Sequence, residues 1–554
     1  MSAALALLTV LAQICVTQQA KLVASDGLTG DLFGVSVDLL QDRIVVGAPN
    51  NRPLAVGTQT GAAYVFELVG GVWQEQAQLA PSYAIPKSYF GHAVACDAAR
   101  VIVGAPMVKP TSVPGVRGLA YVYSKPTGTW VEEALLDPAD PTVNIFGASV
   151  DIEGDTLLVG ASGGSLGGAA FVYVRTGVTW TKQAKLVASD ASSGAEFGHA
   201  VVLRGDTAVV GAYRANGAEQ GSGAAYVFRR TGATWTETQK LSAPNGRALD
   251  GFGLSVALSP NTLVVGAPFV DTSAFGSWQE HGSAYVFEWN GSKWLHKQQL
   301  VPKGYCPLEH FGWSVVVEGG TLAVGAPDQQ SRPGFVQFDS HSGASWIQHV
   351  KVAAQDGYSG LSNGSSGRLG SDLALDGARL AAGASQAEGG IYPSSGAVYV
   401  FDVQMQNPPP TFYCSAKQDS KGCLPRFFHE GLASVSGALK GLDYTIRAWD
   451  VQPKVAGMLF YSLAGAANAP FAGGLLCLQQ PARATQLAPT SASSLPPPCN
   501  GSFSYDFNAW IAGGSDPALV AGQSLWMQMW YRDPSGLPGV NIGLTDGIFA
   551  VICP

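Results

Sequence analysis

One pattern recurs seven times across the first four hundred residues, and it decides most of what the chain can become. Each copy opens with Phe-Gly, passes through a β-rich run to Val-Gly-Ala-Pro, continues through Gly-Ala-Ala-Tyr-Val-Phe, and ends with Trp and a Gln-Lys-Leu run. Phe-Gly stands at Phe33, Phe90, Phe146, Phe197, Phe252 and Phe311, with Leu369-Gly370 as a worn seventh copy. The second element follows at Gly47, Gly104, Gly160, Gly211, Gly266, Gly325 and Gly383. Successive copies lie 51 to 59 residues apart. Each holds four short runs of strand-forming residues separated by Gly, Asp or Asn turns. A unit of four antiparallel strands cannot bury both faces alone, so stacking must supply the core. Seven such units are the arithmetic of an all-β fold, a seven-bladed β-propeller.

The ends of the repeat indicate how the ring would close. Six copies carry a Trp (Trp73, Trp130, Trp180, Trp235, Trp294, Trp346) and an outer strand after it. The seventh runs from Phe401 into Pro408-Pro-Pro410 without one. The orphan stands at the other terminus, where Ala20-Lys-Leu-Val-Ala-Ser-Asp26 nearly duplicates Ala184-Lys-Leu-Val-Ala-Ser-Asp190. The N-terminal strand is therefore expected to complete blade seven, leaving no exposed sheet edge. The domain order that follows is a signal peptide over 1–17, a propeller over 18–403, a Pro-rich linker over 404–410, and a C-terminal module over 411–554.

These motifs resemble the FG-GAP repeat family, the propeller at the head of integrin α subunits, over about residues 20 to 403. The resemblance implies an extracellular or cell-surface binding and adhesion scaffold. Family members often hold calcium in a D-x-D-x-D-G loop, but the corresponding links here are plain turns such as Glu153-Gly-Asp155 and Glu318-Gly-Gly320. A calcium loop needs about six or more oxygen ligands, so no metal and no cofactor is expected. Arg204-Gly-Asp206 spells an integrin-ligand tripeptide but sits where a hairpin turn is expected.

Export fits the rest of the chain. The apolar start ends in Val10-Leu-Ala12, a suitable cleavage sequence, and there are eight cysteines with no C-x-x-C pair. Charged residues make up only 13%, the net charge is −8, and no basic block is present, which excludes nucleic acid as a partner. Val455 to Pro481 is uncharged, but Gly457, Gly465, Pro470, Gly473 and Gly474 break it into two buried strands rather than a membrane span. Residues 411–554 read as a β-sandwich-like domain, resembling a C-terminal module of secreted bacterial propeller proteins. Cys414 with Cys423 and Cys477 with Cys499 are its short-range disulfide candidates, leaving Cys553 for Cys15 or free.

No catalytic motif is present: there is no G-x-S-x-G, H-E-x-x-H or Walker loop. His92 and His199 share one repeat position, yet its other occupants include Val35, Ala148, Leu254 and Trp313, so packing is the better reading than a metal site. The acidic loops Asp26–Asp31 and Asp190–Glu196 read as turns. The expected function is thus a monomeric, non-enzymatic scaffold binding a protein or glycan. A secreted propeller-based hydrolase or lyase and a purely structural surface component are the alternatives. Recognition is expected on the face with the variable loops. The longest of these, Phe269 to His281 in copy five, supplies Phe269, Phe275, Trp278 and His281 as candidate ligand-binding residues. Their competing role is to pack the loop against neighbouring blades.

Overall fold

The computed structural model describes residues 13–406, apart from 54–57, 109–117, 272–279, 303–308, 328–333, 343–344, 355–366 and 388–393. Beyond residue 410 it describes the strands and a few short stretches. The chain divides into two compact units. One comprises Gln18–Gln348 and Asp356–Asp402; the other comprises Val403–Pro554 with Met1–Thr17 and His349–Gln355.

The first unit holds seven four-stranded antiparallel sheets. Blade one is typical: Ser36–Leu40 innermost, then Arg43–Ala48, Ala62–Val69 and Val72–Leu79 outward. The innermost strands follow one another in a circle, each next to the one of the following blade, and Leu369–Asp376 of blade seven lies beside Ser36–Leu40 of blade one. In blade seven the strand order places Gln13–Leu22 outermost, beside Ala397–Gln406. That strand begins earlier than residue 18, with Ile14 and Val16 buried. Arg204-Gly-Asp206 lies in the turn where Arg204 pairs with Thr207.

The repeated glycines have one cause. A Cβ on Gly47 would lie 1.9 Å from the carbonyl oxygen of Gly91, the Phe-Gly glycine of the next blade. The same collision recurs from Gly104 to Gly147 at 2.0 Å and from Gly211 to Gly253 at 2.1 Å, and between the last and first blades from Gly383 to Gly34 at 2.0 Å. Backbone therefore meets backbone at every blade boundary, which only glycine permits. The Phe-Gly glycines also hold positive φ, +86° at Gly34 and +89° at Gly91. The motif phenylalanines fill the spaces between blades. Phe90 is fully buried, edge-on to Tyr121 at 5.2 Å, and its backbone bridges to Gly61 of the blade before. Burial of such a ring is worth roughly 3–5 kcal/mol against alanine.

On the opposite side of the boundaries, arginines at the start of second strands reach the tryptophan of the next blade. Arg43 lies over Trp130 at 5.0 Å, Arg100 over Trp180 at 5.7 Å, and Arg379 over Trp73 at 5.4 Å. Their guanidinium groups also reach Glu67, Glu133 and Asp42 at 3.5, 3.5 and 3.1 Å. A third link ties the outermost strands. The amide and hydroxyl of Ser25 both donate to Glu75, those of Ser82 to Glu132, and those of Ser189 to Glu237.

The acidic loops act as turn and strand anchors. The Tyr64 hydroxyl donates to Asp26 at 2.5 Å and the Tyr226 hydroxyl to Asp190 at 2.7 Å. Asp31 accepts the Leu28 amide and the Asn51 side chain.

The second unit is also antiparallel. One sheet runs Thr411–Tyr413, Ile542–Val551, Ser524–Arg532, Ala456–Ser462 and Arg483–Ala484, and another contains Arg426–Glu430, Thr445–Val451 and Gly501–Asp506. The apolar stretch around residue 460 forms three strands, Ala456–Ser462, Ala466–Phe471 and Gly474–Leu478, one more than the two expected, with Pro470 inside the middle strand rather than in a turn. No helix among the described residues is long and apolar enough to cross a membrane. The side chains of Cys15, Cys306, Cys414, Cys423, Cys477, Cys499 and Cys553 lie outside the described residues; Cys96 is a buried free thiol.

Candidate functional site

Each innermost strand starts, and each second strand ends, on one face of the ring. The links on this face vary most in length, while the turns on the other are short. Phe269 leaves the second strand of blade five here, half-buried, and packs edge-on to His310 at 5.6 Å and Trp313 at 6.4 Å. His310 in turn lies 6.1 Å from Trp313 and 3.0 Å from the Glu280 carboxylate. Trp313, like the other two, keeps part of its surface in solvent. Three partly exposed rings from two blades thus meet at the mouth of the axis.

The other members of the expected loop site fare differently. Phe275 and Trp278 lie outside the described residues. His281 is 1% exposed and its carbonyl accepts the Phe311 amide, so it belongs to the wall between blades five and six and offers no surface for stacking. Trp313, which completes the cluster, comes from the Phe-Gly-x position of copy six. Its signal in the sequence was its size at a site where other copies carry Val, Ala, Ser, Leu or His.

That same position holds His92 and His199. His199 packs against Tyr213 at 4.7 Å, with Glu196 3.8 Å away and Arg214 beyond it on the same carboxylate. Crowding by the surrounding strands pushes both imidazoles down, His199 to about 4 with a further contribution from His92, so both are neutral near pH 7. Among the described residues no group of three or more His, Cys, Asp or Glu side chains is arranged to hold a metal ion.

Deeper along the axis lie carboxylates that sequence reasoning missed. Asp38, Asp151 and Asp372 each accept their following residue's amide and one amide from the next blade's inner strand. The latter donors are Cys96 at 2.6 Å, Leu203 at 2.6 Å and Val37 at 2.8 Å. Glu153, Glu318 and Asp376 make the same cross-blade bond one turn further down, to Gly205, Gly377 and Gln41. Burial is the largest influence on Asp151 and Asp372 and pushes both up to about 7, against the pull of the amide donors; the Asp38 charge adds to it. Asp38, Asp151 and Asp372 stand on the innermost strands of blades one, three and seven, the strands that ring the axis. The available clue was an Asp five residues after Phe in copies one and three, Asp38 and Asp151.

Four segments of this ring, residues 16–66, 130–173, 180–228 and 235–287, match the model of the FG-GAP repeat. These segments are FG-GAP repeats, and the series of four-stranded sheets fits an FG-GAP propeller. No curated protein matches the chain. In this FG-GAP ring the two motif halves meet across the blade boundary: the Gly of Gly-Ala-Pro abuts the Gly of the next Phe-Gly. The candidate face is the one on which these seams open, and its aromatic cluster stands on strands held by them.

Proposed function

We propose that the protein is an extracellular or cell-surface binding scaffold, a monomer without catalytic activity, that holds a protein or glycan ligand on the FG-GAP face of its propeller. The observation that carries this reading is the cluster of Phe269, His310 and Trp313. Rings left partly in solvent on a rigid β framework lose little entropy when a ligand covers them. The FG-GAP family supports a binding role, and the apolar start and eight cysteines of the chain support export. The simple turns in place of D-x-D-x-D-G loops support a fold that works without calcium.

A glycan and protein array probed with purified protein tests this directly. Ligands retained by the wild type should be lost at least tenfold with Trp313→Ala, while the melting temperature changes little, because that ring is partly exposed. An array hit bound equally well by Trp313→Ala and by Phe269→Ala would remove this face from the site.

A further inference from the structure

The opposite face carries a cavity with no place in this account. Arginine opens the second strand in blades one, two and seven and covers a tryptophan of the following blade. In blade four the same position is Thr207, paired in register with Arg229 of the third strand. The cation has moved one strand outward, and Arg229 stacks on Trp289 at 5.6 Å instead. The space beside Trp294, where a guanidinium covers the corresponding tryptophan after blades one, two and seven, is left as a cavity of about 290 Å³. Thr207, Arg204, Arg229, Trp289, Trp294 and Glu153 line it.

Trp294 is 5% exposed and its indole N–H has no acceptor. The N–H groups of Trp130 and Trp346 also lack one; Arg43 covers the Trp130 ring, and of the three only Trp294 lines this cavity. Trp289 and Trp294 stand 5.4 Å apart at 56°, forming two walls of a wedge. The wedge is held in place: Gln239 accepts the Trp294 amide at 2.9 Å and donates to its carbonyl at 2.7 Å. Neither Arg204 nor Arg229 has a carboxylate within ion-pair distance among the described residues. Glu153, the acidic group of the lining, is engaged by the Gly205 amide. On a protein of net charge −8, this is a locally cationic pocket of donors and aromatic faces.

We propose that this cavity between blades four and five binds a hexuronate residue of an acidic glycan. The guanidinium groups and the indole N–H meet the carboxylate, and the tryptophan walls meet the C–H face of the sugar ring. Two arginines favour a carboxylate or a comparable anion, since a planar guanidinium pairs with it through two parallel hydrogen bonds. The second aromatic wall favours a pyranose over an acidic peptide, because an Asp or Glu side chain would leave that wall bare.

The test is titration of the full chain with trigalacturonate, neutral galactotriose and hexaglutamate, followed by calorimetry and tryptophan fluorescence. Trigalacturonate is expected to bind saturably and to weaken as salt rises, galactotriose and hexaglutamate at least tenfold more weakly. Thr207→Arg restores the guanidinium found at other boundaries, fills the cavity, and is expected to abolish binding without lowering the melting temperature. Arg229→Gln, at an exposed residue, is expected to weaken binding at least tenfold and serves if Thr207→Arg does not fold. No saturable binding by the wild type, binding unaltered by these variants, or hexaglutamate binding as tightly as trigalacturonate would overturn the proposal. Trp313→Ala is expected to leave trigalacturonate binding unchanged, which separates this site from the FG-GAP face.

Discussion

The two sides of a blade boundary are built differently. On the FG-GAP side, glycine meets glycine at each of the seven boundaries, because the backbones are too close for any Cβ. On the turn side the boundary is closed by side chains, and these vary. Arg43, Arg100 and Arg379 cover a tryptophan of the next blade, Arg230 covers Trp235 within its own blade, and Thr207 leaves a cavity. A backbone contact has one solution and a side-chain contact has several. The first therefore repeats along the sequence, and the second is free to become a site.

The glycine seam should break hardest. Gly104→Ala would place a methyl 2.0 Å from the Gly147 carbonyl oxygen, with backbone on both sides and nothing flexible to yield. A loss of about 3 kcal/mol or more is expected in urea unfolding. Gly320→Ala, where nothing lies within 4 Å and φ is ordinary, should stay within about 0.5 kcal/mol. Equal stability of the two variants would show that the seam is looser than described.

The staples should give a smaller effect. Arg100 is 12% exposed, reaches Asp97, Glu133 and Asp155, and covers Trp180. Arg100→Gln is expected to cost about 1–2 kcal/mol, most of it from the lost cover of Trp180, since Glu133 and Asp155 keep Arg175. An unchanged urea midpoint would reduce the staple to an ornament of the surface.

The smallest effect is that of pH. Asp151 and Asp372, held near 7 in the fold against an ordinary value of 3.8, bind protons more tightly folded than unfolded. Stability from this source is complete below about 4 and is lost as pH rises through 7. His92 and His199, pushed below 6.5, act in the opposite sense between about 4 and 6.5. The imidazole influence fades above 6.5, as the unfolded-state imidazoles lose their remaining protons, while that of the aspartates is still running. The melting temperature is therefore expected to fall from pH 6.5 to pH 8, modestly, since the axial side of these carboxylates keeps some solvent. A rise over that interval would contradict the direction assigned to Asp151 and Asp372.

The fold was legible because its contacts of closest approach are made by glycines, and a glycine required at one point of each blade writes a period into the chain. The seventh copy was harder to see, with Leu369 in place of Phe and its innermost strand irregular between Leu369 and Leu373. The site was legible only in part. Phe269 was visible as an aromatic in a long loop, but its partners His310 and Trp313 come from the next blade, and no local pattern ties residue 269 to residue 313. His281 looked equally suitable and is buried, because it stands beside Gly282, whose backbone bridges to Phe311 of the next blade. The Arg–Trp staples, the Ser–Glu links and the axial aspartates escaped for the same reason. Each joins residues from different blades, 48 or more positions apart, and occurs in only some of the copies.

We propose that the first strand of the chain seals the ring, as its outermost place in blade seven supports. Amide hydrogen exchange on the full chain and on a chain lacking residues 1–22, which keeps Asp26 for Tyr64, measures this directly. The truncated chain is expected to melt sharply lower and to lose protection first at Val398 and Val400, on the strand of blade seven next to the one removed, and then in the axial strands of blades one and seven. Unchanged melting, with Val398 and Val400 as protected as in the full chain, would contradict closure by the N-terminal strand.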